Sequence, residues 1–288
     1  MDAGLVTLVI FTCEGREHLL QQTFKSFSDF CDFRFRQIIL AVDGPISSAA
    51  VDFVKPDIIV RSYHRKGYVN NIVTAIKQID TPYFFWLEDD FIFHKEIPVS
   101  YMCETMAQNN DWAGIFLSRR APLPDTDKKE YIFDKFFVPD FGYSASPTFC
   151  NTQHINSAIQ ALVKYPKDEK SKLYGFETFF DNYFKQNHHK YALIDPGDSL
   201  QVTHVGKLES SAREFHMINS LDNETSLIGK KYISGFGVDR ETKFINKAGM
   251  LFKLWPAVLS LSRRLWFSRE AYDFAFRIYL ASRKKFRH

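Results

Sequence analysis

Pro82-Tyr83-Phe84-Phe85-Trp86-Leu87-Glu88-Asp89-Asp90 is the stretch on which the fold turns. Its first six residues are apolar or aromatic with no polar alternation, the mark of a strand buried on both faces. It then stops abruptly in three consecutive carboxylates. Working outward, residues 5–12 (LVTLVIFT) form a similar run, as do residues 37–42 (QIILAV), which Asp43-Gly44-Pro45 closes as a turn. Residues 58–61 make a shorter one. Between these runs the period changes. In residues 17–30, Leu20, Phe24 and Phe27 fall at i, i+4 and i+7. In residues 67–79, Val69, Ile72, Val73 and Ile76 share one helical face. A helix over 99–108 and a strand over 112–117 follow. Strands alternating with helices predict an α/β fold: a mostly parallel, Rossmann-like sheet with helices on both faces.

Such sheets bind ligands beyond the carboxyl ends of their strands. Here those ends read Cys13-Glu14, Asp43-Gly44 and Glu88-Asp89-Asp90. None is glycine-rich. There is no G-x-G-x-x-G and no phosphate-binding P-loop, which argues against a dinucleotide site and against a Walker-type NTPase.

Three adjacent carboxylates repel one another unless a cation or a basic group sits among them. In an extended segment Glu88 and Asp90 point the same way and Asp89 the other. Hard oxygen ligands suit Mg²⁺ or Mn²⁺, which take one or two protein carboxylates and complete their shell with water and substrate phosphates. An acidic turn is also an ordinary surface feature, but this one abuts a buried aromatic strand at the ligand-binding edge. His204, after a short extended run, is a candidate ligand for the same metal, although most single histidines are structural. Glu177 and Asp181 lie at i, i+4 near a helix start among aromatics, where a carboxyl group can serve as general base. Helix N-termini favour acidic residues in any case. Asp43 can accept hydrogen bonds from a base or ribose, and a simple Asp-Gly-Pro turn explains it nearly as well.

The chain has 288 residues, 45% hydrophobic and 25% charged, with 29 Phe. That is one large domain with appendages, an aromatic core and no wholesale disorder. The four cysteines are scattered and make no C-x-x-C pair, so they read as reduced thiols of a cytoplasmic protein. Met1-Asp2-Ala3-Gly4 does not begin a signal peptide or an apolar anchor. Residues 118–140 read as a long charged loop. Residues 149–163 and 175–186 read as helices, and 191–203 as two extended runs around Asp195-Pro196-Gly197. Residues 207–250 read as a mobile loop region. Residues 251–288 carry nine Lys/Arg against Glu270 and Asp273, a net +7 that leaves −4 on the rest. This basic, aromatic amphipathic tail suits an anionic membrane surface on the cytoplasmic side, or else packs on the core. The acidic body speaks against nucleic acid.

Taken in order, LVTLVIFTCEGREHLLQQTFKSF, IILAVDG and YFFWLEDDFIF resemble the nucleotide-diphospho-sugar glycosyltransferases of the GT-A fold, of the family-2 or N-acetylglucosaminyltransferase type. Glu88-Asp89-Asp90 resembles their D-x-D metal motif. Gly175-Phe176-Glu177 resembles the catalytic acidic position. Asp198-Ser199-Leu200 with Thr203-His204-Val205-Gly206 and Ser210-Ser211 resembles an S-L…H-V-G…S-S segment. The likeness covers about residues 5–211, and the domain it implies is 1–211, with a nucleotide-sugar half over about 1–117 and an acceptor half over about 118–211.

What the resemblance implies is transfer of a hexosyl or N-acetylhexosaminyl group from a nucleotide sugar, with UDP the expected nucleotide, to a glycan or glycolipid hydroxyl. Thr12, Glu14 and Asp43 would hold the nucleotide. Glu88 and Asp89 would stand near the ribose and metal. Asp90, with His204, would ligate Mn²⁺ or Mg²⁺. Arg61, Arg65 or Lys66 would add charge to the phosphates. Glu177, or alternatively Asp181, would take the acceptor's proton, giving inversion. Thr178 stands where many such enzymes carry a second acid, so a retaining enzyme of the same fold stays open. Two readings from other classes remain beside it: a sugar nucleotidyltransferase, for which Cys13-Glu14-Gly15-Arg16 is a poor phosphate loop, and a membrane-attached glycan-binding protein without catalysis.

Overall fold

A computed structural model describes residues 3–123, 128–139, 142–165 and 176–206. The loop region 207–250, the tail 251–288 and Gly175 lie outside the described residues.

The first half follows the periodicity closely. Strand β1 (Val6–Cys13) leads into helix α1 (Glu17–Phe30), and β2 (Gln37–Asp43) into α2 (Ser48–Val54). Then come β3 (Ile58–Arg61), α3 (Tyr68–Ile76), β4 (Tyr83–Glu88), a short β5 (Phe91–Phe93), α4 (Val99–Gln108) and β6 (Trp112–Phe116). Helix α2 is too short to show a period, and its start is marked only by Ser47, whose hydroxyl accepts the Ala50 N–H. Strands β1, β2, β3 and β4 pair in parallel in the order β3-β2-β1-β4. Their side chains alternate between two buried layers. Val9, Phe11, Phe84 and Trp86 face α3 and its neighbours, while Leu8, Ile10, Phe85 and Leu87 face the layer containing Leu20, Phe27 and Met102. Each of these fully buried side chains stabilises the fold by about 1.5–3 kcal/mol.

The second half departs from expectation in two places. Residues 149–163 are not one helix: β9 (Thr148–Asn151) precedes α5 (Thr152–Lys164). Strand β9 lies between β4 and β6, antiparallel to both. Asn151 ends the strand and caps the helix, its Oδ1 accepting the N–H groups of Gln153 and His154. No Gly or Pro separates the two elements, and the polar residues Asn151-Thr152-Gln153-His154 alone mark the boundary. Nor is 118–140 simply a loop, because it contains the antiparallel pair β7 (Lys128–Phe133) and β8 (Phe136–Pro139). Asp134, in the left-handed region at φ 47°, makes the turn. Helix α6 (Phe176–Gln186) and β10 (Lys190–Ile194) follow, and the sheet finishes as β4-β9-β6-β10-β8-β7.

The last described strand, β11 (Val202–His204), pairs antiparallel with β5 in a separate two-stranded sheet, with His204 opposite Phe91. That pairing carries a residue from the end of the described chain to the end of β4. All four cysteines are free. Among the described residues no helix is long and apolar enough to cross a membrane.

Candidate active site

The carboxyl ends of β1, β2 and β4 open into one cavity of about 380 Å³. Thr12, Cys13, Arg16, Asp43, Arg65 and Tyr68 line it, together with Glu88, Asp89, Asp90, Arg119, Glu177 and His204. Residues of β1, β2, α3, β4, α6 and β11, and of the loops between elements, therefore converge at the edge where parallel sheets bind ligands.

The three acids do not alternate as a strand would make them. Strand β4 ends at Glu88, and Asp89-Asp90 turn the chain into β5. All three consequently border the cavity, and Asp89 shares a partner with Asp90 instead of facing away. Glu88 accepts a hydrogen bond from the Tyr68 hydroxyl, which itself accepts the Trp86 indole N–H at 3.3 Å. Asp89 accepts the Thr12 hydroxyl at 2.6 Å. Arg16 lies between the two aspartates, its Nη2 2.8 Å from Asp89 Oδ1 and 2.6 Å from Asp90 Oδ2. Burial pushes the Glu88 carboxyl well above its ordinary range, with Asp90 adding to the effect. Burial likewise pushes Asp89 up to about 7 against the pull of Arg16. Asp90 is buried too, but His204 and Arg16 hold its carboxyl below the ordinary value.

The segment His204-Val205-Gly206 grips Asp90 from its other side. His204 Nε2 stands 3.1 Å from Asp90 Oδ2, and its ring stacks on Phe91. The Val205 N–H donates to the Asp90 carbonyl at 2.8 Å. His204 thus reaches the acidic cluster, with one ring nitrogen engaged by Asp90 and Nδ1 buried without a partner among the described residues.

Asp43 accepts the backbone N–H groups of Lys66 at 2.6 Å and Gly67 at 3.1 Å, which fixes the loop that starts α3. Of the three cations considered for the phosphates, Arg65 borders the cavity. Arg61 and Lys66 are exposed and do not border it, and Lys66 contributes its backbone to Asp43. Glu14 is exposed and likewise does not border the cavity. Arg16 and Arg119 do, and sequence reasoning missed both. Arg16 follows an unremarkable polar turn, and its partners stand more than seventy residues away, so no local signal marks it.

Glu177 and Asp181 share a helix but not a role. Glu177 Oε1 accepts the Ala145 N–H at 2.6 Å at the cavity wall. Burial raises its carboxyl above the ordinary value, against the pull of the Ala145 N–H, Arg119 and Ser144. Asp181 does not border the cavity. It accepts hydrogen bonds from the Tyr191 hydroxyl, from Lys185 Nζ at 2.6 Å and from the Tyr143 N–H at 3.2 Å. This carboxylate ties α6 to β10 and to the segment before β9. A second cavity of about 350 Å³ shares Arg119, Ser144 and Ser146 with the first and adds Arg120, Leu123 and Leu193.

The fold family commonly employs a divalent metal, and the acidic cluster fits one. Asp90 Oδ1 is buried and has no partner among the described residues, although Oδ2 has two. Among the described residues no three His, Cys, Asp or Glu side chains are arranged to hold a metal by themselves. A cation here would complete its shell with water and substrate oxygens, as Mg²⁺ and Mn²⁺ do.

Comparison with curated proteins finds no match to this chain. A family model does match, over residues 7–168, which takes in β1 to α5 and the whole acidic cluster but stops short of Glu177 and His204. More than half of the chain is covered, so the protein belongs to glycosyl transferase family 2, whose members move sugars from nucleotide-sugar donors to acceptors.

Proposed function

We propose that this enzyme transfers a hexosyl or N-acetylhexosaminyl group from a UDP-sugar to a glycan or glycolipid hydroxyl, with inversion and with a divalent metal. The observation that carries the reading is the single cavity that joins Asp43, the Glu88–Asp90 cluster and Glu177. On this reading Asp43, Thr12 and Arg65 stand at the nucleotide's end. Asp90, through its partnerless Oδ1, would hold Mn²⁺ or Mg²⁺, with Glu88 and Asp89 beside it. Such a metal, when bound, supplies Lewis-acid neutralisation of the departing diphosphate.

His204 and Arg16 fix the orientation of Asp90. Glu177, raised by burial, takes the proton of the attacking hydroxyl while the Ala145 N–H holds its other end in place. The acceptor enters from the adjoining cavity, past the wall formed by Ser144 and Ser146. The domain division at 211 belongs to the same proposal, with residues 251–288 attaching the enzyme to the inner face of a membrane.

Calorimetric titration of UDP and GDP, with and without Mn²⁺, tests the donor site on the wild type and on Asp90→Ala. Mn²⁺-dependent UDP binding that disappears in the variant is the expected result. Binding by neither nucleotide would remove the donor assignment.

A further inference from the structure

We propose that Arg16 is a built-in counter-cation of the Asp89–Asp90 pair, which keeps a divalent cation weakly held until the donor's diphosphate arrives. The inference rests on the proposed metal role of Asp90. One atom, Nη2, serves both carboxylates, at 2.8 Å and 2.6 Å, with the three side chains 14%, 6% and 9% exposed. The guanidinium therefore occupies ground that a cation shared by the two aspartates would need. Arginine stays charged under all ordinary conditions, so this neutralisation cannot be titrated away.

Asp90 is divided in two by this arrangement. Oδ2 is committed to Arg16 and His204, and buried Oδ1 has no partner among the described residues. A cation can reach Asp90 through Oδ1 but does so beside a fixed positive charge. Two ionised aspartates and one arginine leave a single negative charge, and a dication gains little from it in this setting. A diphosphate adds negative charge and oxygen ligands at the same place, so it restores the missing attraction. The pair of acids is thereby kept folded and together without metal, which three adjacent carboxylates would otherwise resist.

The test is Mn²⁺ binding to the full chain at about pH 8, which favours the ionised pair. Free Mn²⁺ is followed by electron paramagnetic resonance, with and without UDP. Without UDP, Arg16→Gln should bind Mn²⁺ at least about tenfold tighter than the wild type, because a nearby like charge has been removed. With UDP present, that gain should shrink to under about threefold, the diphosphate having supplied the charge.

Equal or weaker Mn²⁺ binding by folded Arg16→Gln, with UDP–Mn²⁺ binding intact, would overturn the inference and leave the metal reading standing. The wild type gives a second check that no folding defect can spoil: UDP should tighten Mn²⁺ binding at least about tenfold. A wild type that binds Mn²⁺ equally well without UDP overturns the inference. A wild type that takes up no Mn²⁺ even with UDP removes the metal reading as well.

Discussion

Gly206 lies so close to Asp90 that a β-carbon on it would fall 2.0 Å from Oδ2 and 2.6 Å from the aspartate's own Cβ. No side chain fits there without moving Asp90 or the end of β11. Gly206→Ala should therefore disturb the acidic cluster directly. Overpacking of this kind costs about 1–3 kcal/mol. The expected outcome is a lowered melting temperature together with UDP–Mn²⁺ binding weakened by about tenfold, roughly 1.4 kcal/mol. Calorimetry on the folded variant decides it. Unchanged binding would mean that the carboxylate has slack the geometry does not show.

That contact also marks where sequence reading reached and where it stopped. Asp43 and Glu88 are legible because each ends an unbroken apolar run at the edge of a parallel sheet. His204 and Gly206 were visible as a short segment, but the reason for the glycine is a packing distance to a residue more than a hundred positions earlier. Arg16 was invisible for a related reason: an arginine after a Cys-Glu-Gly turn is chemically ordinary until β4 brings two aspartates to it. Strand β9 is hard to separate from α5 in the sequence because it is only four residues long and no Gly or Pro stands between them. Asp181 looked equivalent to Glu177 by helical spacing, and only the positions of Tyr191 and Tyr143 separate them.

Glu177→Gln keeps an acceptor for the Ala145 N–H but cannot take a proton. Turnover should fall by about 10²–10⁴-fold, the range for loss of a general base. The pH dependence follows from the raised carboxyl. Wild-type turnover should climb as pH rises through that raised value, because the base acts when ionised. The residual rate of Glu177→Gln should lack this limb. Stability runs the other way. A group with a raised folded-state pKa contributes most below its ordinary pKa, and that contribution is lost as pH rises through the folded value. The variant should thus gain on the wild type in unfolding experiments as pH increases. A pH limb surviving in the variant would assign the base elsewhere.

Tyr68→Phe removes one hydroxyl with two duties. It leaves Glu88 without its donor and the Trp86 indole N–H without its acceptor, both in the interior of the site. Buried polar groups stripped of their partners cost about 1–3 kcal/mol. Urea unfolding should show a loss of that size with an unchanged slope. The Glu88 carboxyl, already raised by burial, should rise further, since the Tyr68 bond is what pulls it down. A fully stable variant would show that water replaces the hydroxyl without cost.

Asp181→Asn separates the two acids of α6. Burial raises the Asp181 carboxyl, but Lys185 and Tyr191 outweigh burial and hold it below its ordinary value. A depressed folded-state pKa contributes stability above the ordinary carboxylate pKa, and that stability is lost as pH falls through the depressed value. The variant should accordingly be less stable than the wild type at neutral pH, by about 1–3 kcal/mol for a weakened charged hydrogen-bond set. The gap should close in acid, as the wild-type carboxylate is protonated. Denaturant unfolding at a series of pH values measures it. Turnover is the second readout. Asp181 does not border the cavity, so the folded variant should lose far less activity than Glu177→Gln. A loss as deep as that of Glu177→Gln would favour Asp181 as the base. A stability gap that persisted in acid would mean that the shape of the side chain matters here, and its charge does not.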